Sequence, residues 1–226
     1  MRKKRSALLR MNVANIIRIL RKEYPKYRSP SSAGWYKEPY LVLISCIISL
    51  RTKDEVTTAA AKRLFKLAKT PKRMLKIPLS KIRNAIYPVG FYKTKARRIK
   101  EISKKLIEEY GGVVPYRVDD LLKFKGVGRK TANIVASYGY GIPAIAVDVH
   151  VNRLVNRFGW VKTKTPEETE FALMKLLPVK YWIVVNKLLV VWGQNVCKPV
   201  NPDCFNCKVY KYCKKVGVPK KYWKSS

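Results

Sequence analysis

The chain has 226 residues, with 49 Lys and Arg against 14 Asp and Glu, a net charge of +35 with its single His neutral. At 47% hydrophobic and 28% charged it is a globular composition with room for a sizeable core, as one large domain or two small intertwined ones. Charge of that size on a folded surface repels itself, which calls for a polyanionic partner and disfavours an ordinary enzyme of small metabolites. Nucleic acid is the first candidate partner and an anionic membrane the second.

In chain order, the N-terminus (MRKKRSALLRMNVANIIRIL) starts like a signal peptide, but Arg10 and Arg18 break its apolar stretch and no small-residue cleavage site follows. It reads as a basic amphipathic helix of a cytoplasmic or nuclear-type protein. The longest apolar run, Leu41 to Leu50, is about half of the roughly 20 residues a membrane-spanning helix needs. Apolar residues recur at three- and four-residue spacing from Leu8 to Leu20, Tyr40 to Leu50, Val56 to Leu67, Ile99 to Tyr110, Thr131 to Tyr138, Val151 to Phe158, Phe171 to Leu177 and Tyr181 to Trp192. No hairpin signal of alternating apolar residues interrupts them. The fold class is all-α, with about nine or ten short helices.

Helix starts are predicted at Thr165-Pro-Glu-Glu168, as a cap and capping box, and at Thr70-Pro71 and Thr52-Lys-Asp54. Arg28 to Gly34 and Gly139 to Pro143 are the best candidate breaks. They isolate a central segment flanked by helical sequence on both sides, which fits either a single bundle or a second domain assembled from both ends. A single Gln (Gln194) among many Lys hints at a thermophile.

Leu121-Leu-Lys-Phe-Lys125-Gly126-Val-Gly128-Arg129-Lys130-Thr-Ala-Asn133 places two glycines one residue apart between helical patterns. Glycine permits positive φ and close backbone approach, so a hairpin here can turn its N–H groups toward a phosphate; a plain helix–helix turn is the alternative. Lys130 falls in the first turn of the following helix. The positive end of that helix and the neighbouring Arg129 both favour a neutral, nucleophilic amine there over an ammonium. Such an amine near DNA suits attack on a sugar carbon; a simple phosphate contact is the other reading.

Asp148 interrupts the apolar stretch Ile142 to Val151, 18 residues after Lys130. It reads as the N-cap of the helix that follows, and as a carboxylate able to stabilise a cation at a sugar carbon or to deprotonate a nucleophile. His150, the sole histidine, reads as a helix-start residue. Four of the five cysteines follow as Cys197-x6-Cys204-x2-Cys207-x5-Cys213. That clustering argues against a secreted disulfide framework. One close pair with wide arms favours a [4Fe–4S] cluster over zinc. Lys198, Lys208, Lys211, Lys214 and Lys215 surround the loop, with Asp203 its only acid. Cys46, in an apolar helix, reads as a buried small hydrophobe.

Together the hairpin with its lysine, Ala146-Val-Asp148-Val-His150 and the cysteine spacing resemble endonuclease III, of the helix-hairpin-helix DNA glycosylases, in order over roughly residues 10 to 213. The resemblance implies a six-helix domain (31–142) and a discontinuous cluster domain (1–30 and 143–226), with the damaged base flipped into a pocket between them. It implies a bifunctional enzyme that excises oxidised or fragmented pyrimidines from duplex DNA and nicks the strand at the resulting abasic site. Lys130 falls on the family's catalytic lysine, which attacks C1′, and Asp148 on its essential aspartate. Cys197, Cys204, Cys207 and Cys213 fall on the [4Fe–4S] ligands. Arg51 stands where the family often has a glutamine that fills the hole left by the flipped base; Arg there suggests guanine as opposite partner. Phe91 falls on the intercalating wedge. Lys125, where a proline is common, joins Gly126, Gly128, Arg129, Lys198, Lys208 and Lys211 as expected DNA contacts. The lysines from Lys93 to Lys105 read as general affinity for DNA. A monomer of a prokaryotic cytoplasm, associated with the nucleoid, is expected. The competing readings are a monofunctional mismatch glycosylase, whose relatives typically lack a lysine at position 130, and a non-catalytic DNA-binding protein with a structural metal loop.

Overall fold

The computed structural model describes residues 2–27 and 37–224, the first six of them by backbone alone. The break expected at 28–34 lies outside the described residues. Among those described there is no β-strand, and there are eleven α-helices. Their contacts divide the chain into two compact units, 31–146 and 1–30 with 147–226. The chain passes between units after Ala146, four residues later than expected. The reason is local: Asn133 Nδ2 donates to the Ile145 carbonyl at 3.1 Å, and Ile142 N–H to Ala136 at 3.0 Å, so Ile142 to Ala146 stay with the central unit.

The central unit is built around α2 (Pro39–Ser49), whose residues Tyr40 to Ile48 are all buried. A helix apolar on every face has to be enclosed by others. Here α3 (Asp54–Leu67), α6 (Tyr92–Tyr110) and α8 (Arg129–Ile134) enclose it, together with a π-helical turn, Val135–Gly139, that prolongs α8. Inside that packing Tyr40 Oη and Ser103 Oγ share a 2.7 Å hydrogen bond, and Ser103 donates on to the Ile99 carbonyl. Short helices α4 (Pro71–Lys76) and α5 (Leu79–Ile86) pack on α6 and α3, and α7 (Val118–Leu122) on α8. These three are five to eight residues long, too short to show a helical period, and only the Thr70-Pro71 start of α4 was legible.

In the second unit, α1 (Arg2–Glu23) buries Val13, Ile16, Ile17 and Leu20, the three- and four-residue stripe of its sequence, against α11 (Trp182–Asn195). Helix α11 also packs on α9 (Val149–Arg157), which touches α10 (Pro166–Leu176). The cysteine loop follows α11.

Of the expected caps, Thr70 accepts from Arg73 N–H and Thr165 from Glu168 N–H. Glu168 reaches back to Lys164 N–H, one residue before the cap itself. Thr52 does not cap α3: Lys53 occupies that position with no side-chain bond, and Thr52 Oγ1 turns to the Leu50 carbonyl and to Lys95.

The helix C-termini are held in an unusual way. Ion pairs such as Lys104–Glu108 and Lys123–Asp120 stay within one helix or turn, and several contacts between elements run instead from cations to terminal carbonyls. Arg63 donates to Ala85 and Tyr87 at the end of α5, Lys100 to Leu75 in α4, Lys105 to Lys123 after α7, and Lys95 to Ile48 and Leu50 at the end of α2. Cations there meet the negative end of the helix dipole.

Candidate nucleic-acid site and cysteine loop

In the central unit, α7 and α8 are joined by the predicted glycine hairpin. Phe124 and Val127 are buried and anchor it, with Val127 N–H bonded to the Phe124 carbonyl at 3.0 Å. Gly126 adopts φ +83°, the left-handed region that only glycine enters cheaply. Gly128 is extended and starts α8; a Cβ built on it would meet no protein atom within 4 Å. Lys125, Gly126, Gly128 and Lys130 are exposed, Arg129 half-buried. Beneath Lys130, close enough to feel its charge, the thiol of Cys46 is buried in α2, and burial pushes it up to about 12. It therefore stays a neutral thiol rather than a counter-anion to the lysine.

The same unit brings Arg51 and Phe91 together. Both are exposed, both have positive φ (+51° and +58°), and the Arg51 guanidinium lies 5.9 Å from the centre of the Phe91 ring. A non-glycine residue in that conformation costs roughly 1–2 kcal/mol, so a pair of them needs outside support. Beside them is Lys95, expected from the sequence to be one of several exposed, DNA-seeking lysines. It is only 6% exposed, and Nζ donates to the carbonyls of Ile48 (2.7 Å) and Leu50 and to Thr52 Oγ1 (3.0 Å). Loss of hydration pulls its ammonium down to about 8. Nothing in the run Lys93 to Lys105 distinguishes this lysine; only its place one turn into α6, facing the core like Ala96 and Ile99, could have done so.

In the second unit, Asp148 is half-buried and caps α9, its Oδ1 accepting from the N–H groups of His150 and Val151 at 2.9 Å each. From the same helix, Arg153 and Arg157 fasten the cysteine loop. Arg153 donates to the carbonyls of Gly193 and Cys197 and lies 3.2 Å from His150 Nδ1. Arg157 donates to Cys197 Sγ at 3.3 Å and to the carbonyls of Lys198 and Pro199. The sequence did not disclose this role; its one signal was two arginines four residues apart on the helix that Asp148 begins.

Cys197, Cys204, Cys207 and Cys213 line one cavity, with Arg157, Tyr210 and Lys215 also on its wall. All four are unbridged. Among the described residues, no three His, Cys, Asp or Glu side chains are grouped so as to hold a metal ion as they stand. Burial pushes the thiols of Cys207 and Cys213 up to about 12 and about 11, so a bound metal group would have to displace their protons. Backbone Lys215 N–H donates to Cys213 Sγ at 3.3 Å. Lys198, Lys208 and Lys211 are exposed around the loop. Lys215 instead turns inward, its Nζ 4.0 Å from the centre of the Tyr210 ring.

A family profile described as HhH-GPD superfamily base excision DNA repair protein matches residues 44–179. Endonuclease III of Thermotoga maritima is 50% identical over 176 residues, 78% of this chain and 83% of its own length. The structure is similar to that of a non-covalent endonuclease III–DNA complex (TM-score 0.81, 32% identity, 91% of this chain and 95% of the other). It is also similar to a trapped endonuclease III–DNA covalent intermediate with an estranged adenine (TM-score 0.79, 32% identity, 91% of this chain and 96% of the other). Among the described residues no helix is long and apolar enough to cross a membrane. On the profile match, the relative of half-identical sequence and the shared all-helical fold, the chain belongs to the HhH-GPD superfamily of base excision DNA repair proteins, among its endonuclease III-type DNA glycosylase/AP lyases.

Proposed function

We propose that the chain removes oxidised or fragmented pyrimidines from duplex DNA, with Lys130 as the nucleophile, and then nicks the strand by β-elimination through the Schiff base so formed. The observation that carries this reading is an exposed lysine in the first turn of α8, directly behind a hairpin whose backbone stands open. Lys130 Nζ bonds to C1′ as the glycosidic bond to the base breaks. Opening of the sugar ring gives a Schiff base, and loss of a C2′ proton then expels the 3′ phosphate. Asp148 takes the carboxylate part: two amides hold its Oδ1 in place, and the carboxylate offsets positive charge at C1′ or accepts a proton.

Gly126, Gly128, Lys125 and Arg129 hold phosphates at the hairpin, and Lys198, Lys208 and Lys211 hold them at the cysteine loop. Arg51 fills the hole left by the flipped nucleotide, where its donors suit the acceptor edge of guanine, and Phe91, 64% exposed, enters the stack beside it. Cys197, Cys204, Cys207 and Cys213 would hold a [4Fe–4S] cluster. Four unbridged thiols on one cavity wall, with N–H donors to two of the sulfurs, fit a cluster of that size and charge. The cluster would cross-link the loop and place an electron-transfer centre among its lysines.

Borohydride reduction on abasic DNA is expected to give a covalent adduct that Lys130→Ala abolishes; no adduct with the intact protein would sink the lyase reading. Asp148→Asn keeps the cap, since Asn caps as well as Asp. It is expected to leave the unfolding midpoint and DNA affinity in place while slowing base excision about 100-fold or more; a loss confined to stability would leave Asp148 only its capping role. Protein purified without oxygen should be brown, with about four irons per chain, and stoichiometric zinc in their place would overturn the cluster. Gly126→Ala is expected to lower stability by roughly 1–2 kcal/mol through its positive φ. Gly128→Ala should leave stability unchanged yet weaken DNA binding about tenfold, the worth of one lost phosphate contact of about 1.4 kcal/mol. Unfolding curves and binding isotherms for both variants check the contrast.

A further inference from the structure

The exposed pair Arg51 and Phe91 has one residue behind it. The Lys95 side chain grips the backbone on one flank of Arg51, at the Leu50 carbonyl, and the side chain on the other, at Thr52 Oγ1. Its third donor goes to Ile48, so all three N–H bonds of the ammonium converge on the end of α2 and the turn that follows. The backbone N–H of Lys95 closes the first turn of α6 onto the carbonyl of Phe91 at 3.0 Å. One buried residue thus ties down both positive-φ residues, one by its side chain and one by its main chain.

The two loops are also pressed together. A Cβ on Gly90 would stand 3.0 Å from the Arg51 carbonyl, so the strand of chain leading to Phe91 lies directly against the Arg51 turn. Left-handed backbone at two adjacent non-glycine positions persists only where the surroundings over-determine it. An ammonium with three uncharged acceptors provides such a constraint. It is favoured at the negative end of α2, and it neutralises no carboxylate that a change of salt could release.

We infer that Lys95 is a positioning residue that presets Arg51 and Phe91 as one paired probe of the gap opposite the estranged base. Neither turn then has to be ordered when DNA binds, which is where a mobile loop otherwise loses affinity. The inference rests on the reading of Arg51 as the gap-filling residue.

The test compares intact protein, Lys95→Met and Arg51→Ala on duplexes carrying a tetrahydrofuran abasic analogue opposite each of the four bases. Lys95→Met keeps the length of the side chain and removes its donors. It is expected to weaken binding about tenfold and to flatten the preference among opposite bases, with a smaller loss on a single-stranded abasic oligonucleotide, which offers no opposite base. A merely structural role would lower affinity equally for all four partners. Lys95→Met with unchanged affinity and preference overturns the inference. If Lys95→Met does not fold, Thr52→Val decides: it removes one of the three acceptors, and a weakened preference supports the inference while an unchanged one overturns it. Arg51→Ala separates the two layers. If it leaves the preference intact, the reading of Arg51 itself falls. If it flattens the preference while Lys95→Met does not, only the role of Lys95 falls.

Discussion

A protein with 49 basic and 14 acidic side chains cannot give each cation a carboxylate, and the way the remaining cations are accommodated governs the rest of this structure. Those needed between elements are placed on the terminal carbonyls of helices. Lys95, Arg63, Lys100 and Lys105 do this in the central unit and Arg153, at Gly193, in the other, while Arg157 reaches the loop carbonyls of Lys198 and Pro199. Each such contact is worth about 0.3–1 kcal/mol on an exposed surface and up to about 2 when partly buried. Each also joins one element to the end of another, which fixes where a helix stops relative to its neighbour. Ion pairs such as Lys104–Glu108 and Arg98–Glu101 are local to one helix, and cations such as Lys125, Lys198, Lys208 and Lys211 stay exposed, where a polyanion can reach them.

The same device shapes the candidate sites. Arg51 and Phe91 project from the turns where α2 ends and α6 begins, and both turns are secured by the lysine that caps α2. Asp148 begins the helix whose next turns carry Arg153 and Arg157, so the carboxylate and the anchors of the cysteine loop share one rigid element. The glycine hairpin combines two kinds of anchor. Lys105 holds its start at the Lys123 carbonyl and lies over the Phe124 ring, while the buried Phe124 and Val127 fix the rest and leave the backbone face at Gly128 open.

Much of this was legible in the sequence. Glycines one residue apart before Arg129 and Lys130, a lone acid in an apolar stretch and four cysteines in 17 residues are local patterns, and local patterns survive without knowledge of the fold. The long helices were legible for the same reason, and so were the caps at Thr70 and Thr165. What escaped was non-local or too short. Helices α5 and α7 span about two turns or fewer. The π-helical turn after α8 has no compositional mark. Thr52 resembled a cap because nothing in its neighbourhood discloses Lys95, 43 positions away, competing for its hydroxyl. Lys95 itself was misread because burial of a lysine is decided by the acceptors that other segments bring to it, and a run of basic residues hides that.

The second unit is assembled from both ends of the chain, and this has a consequence for its birth on the ribosome. Helix α1 emerges first with Val13, Ile16, Ile17 and Leu20 uncovered, and the helix that covers them, α11, begins about 160 residues later. At about 5–20 residues per second, the apolar stripe waits roughly 10–30 s for its partner, while the central unit is completed in the interval. Arg10, Arg18, Arg21 and Lys22 on the same helix keep that waiting segment strongly cationic. Like-charge repulsion opposes association of such a segment with a second copy of itself.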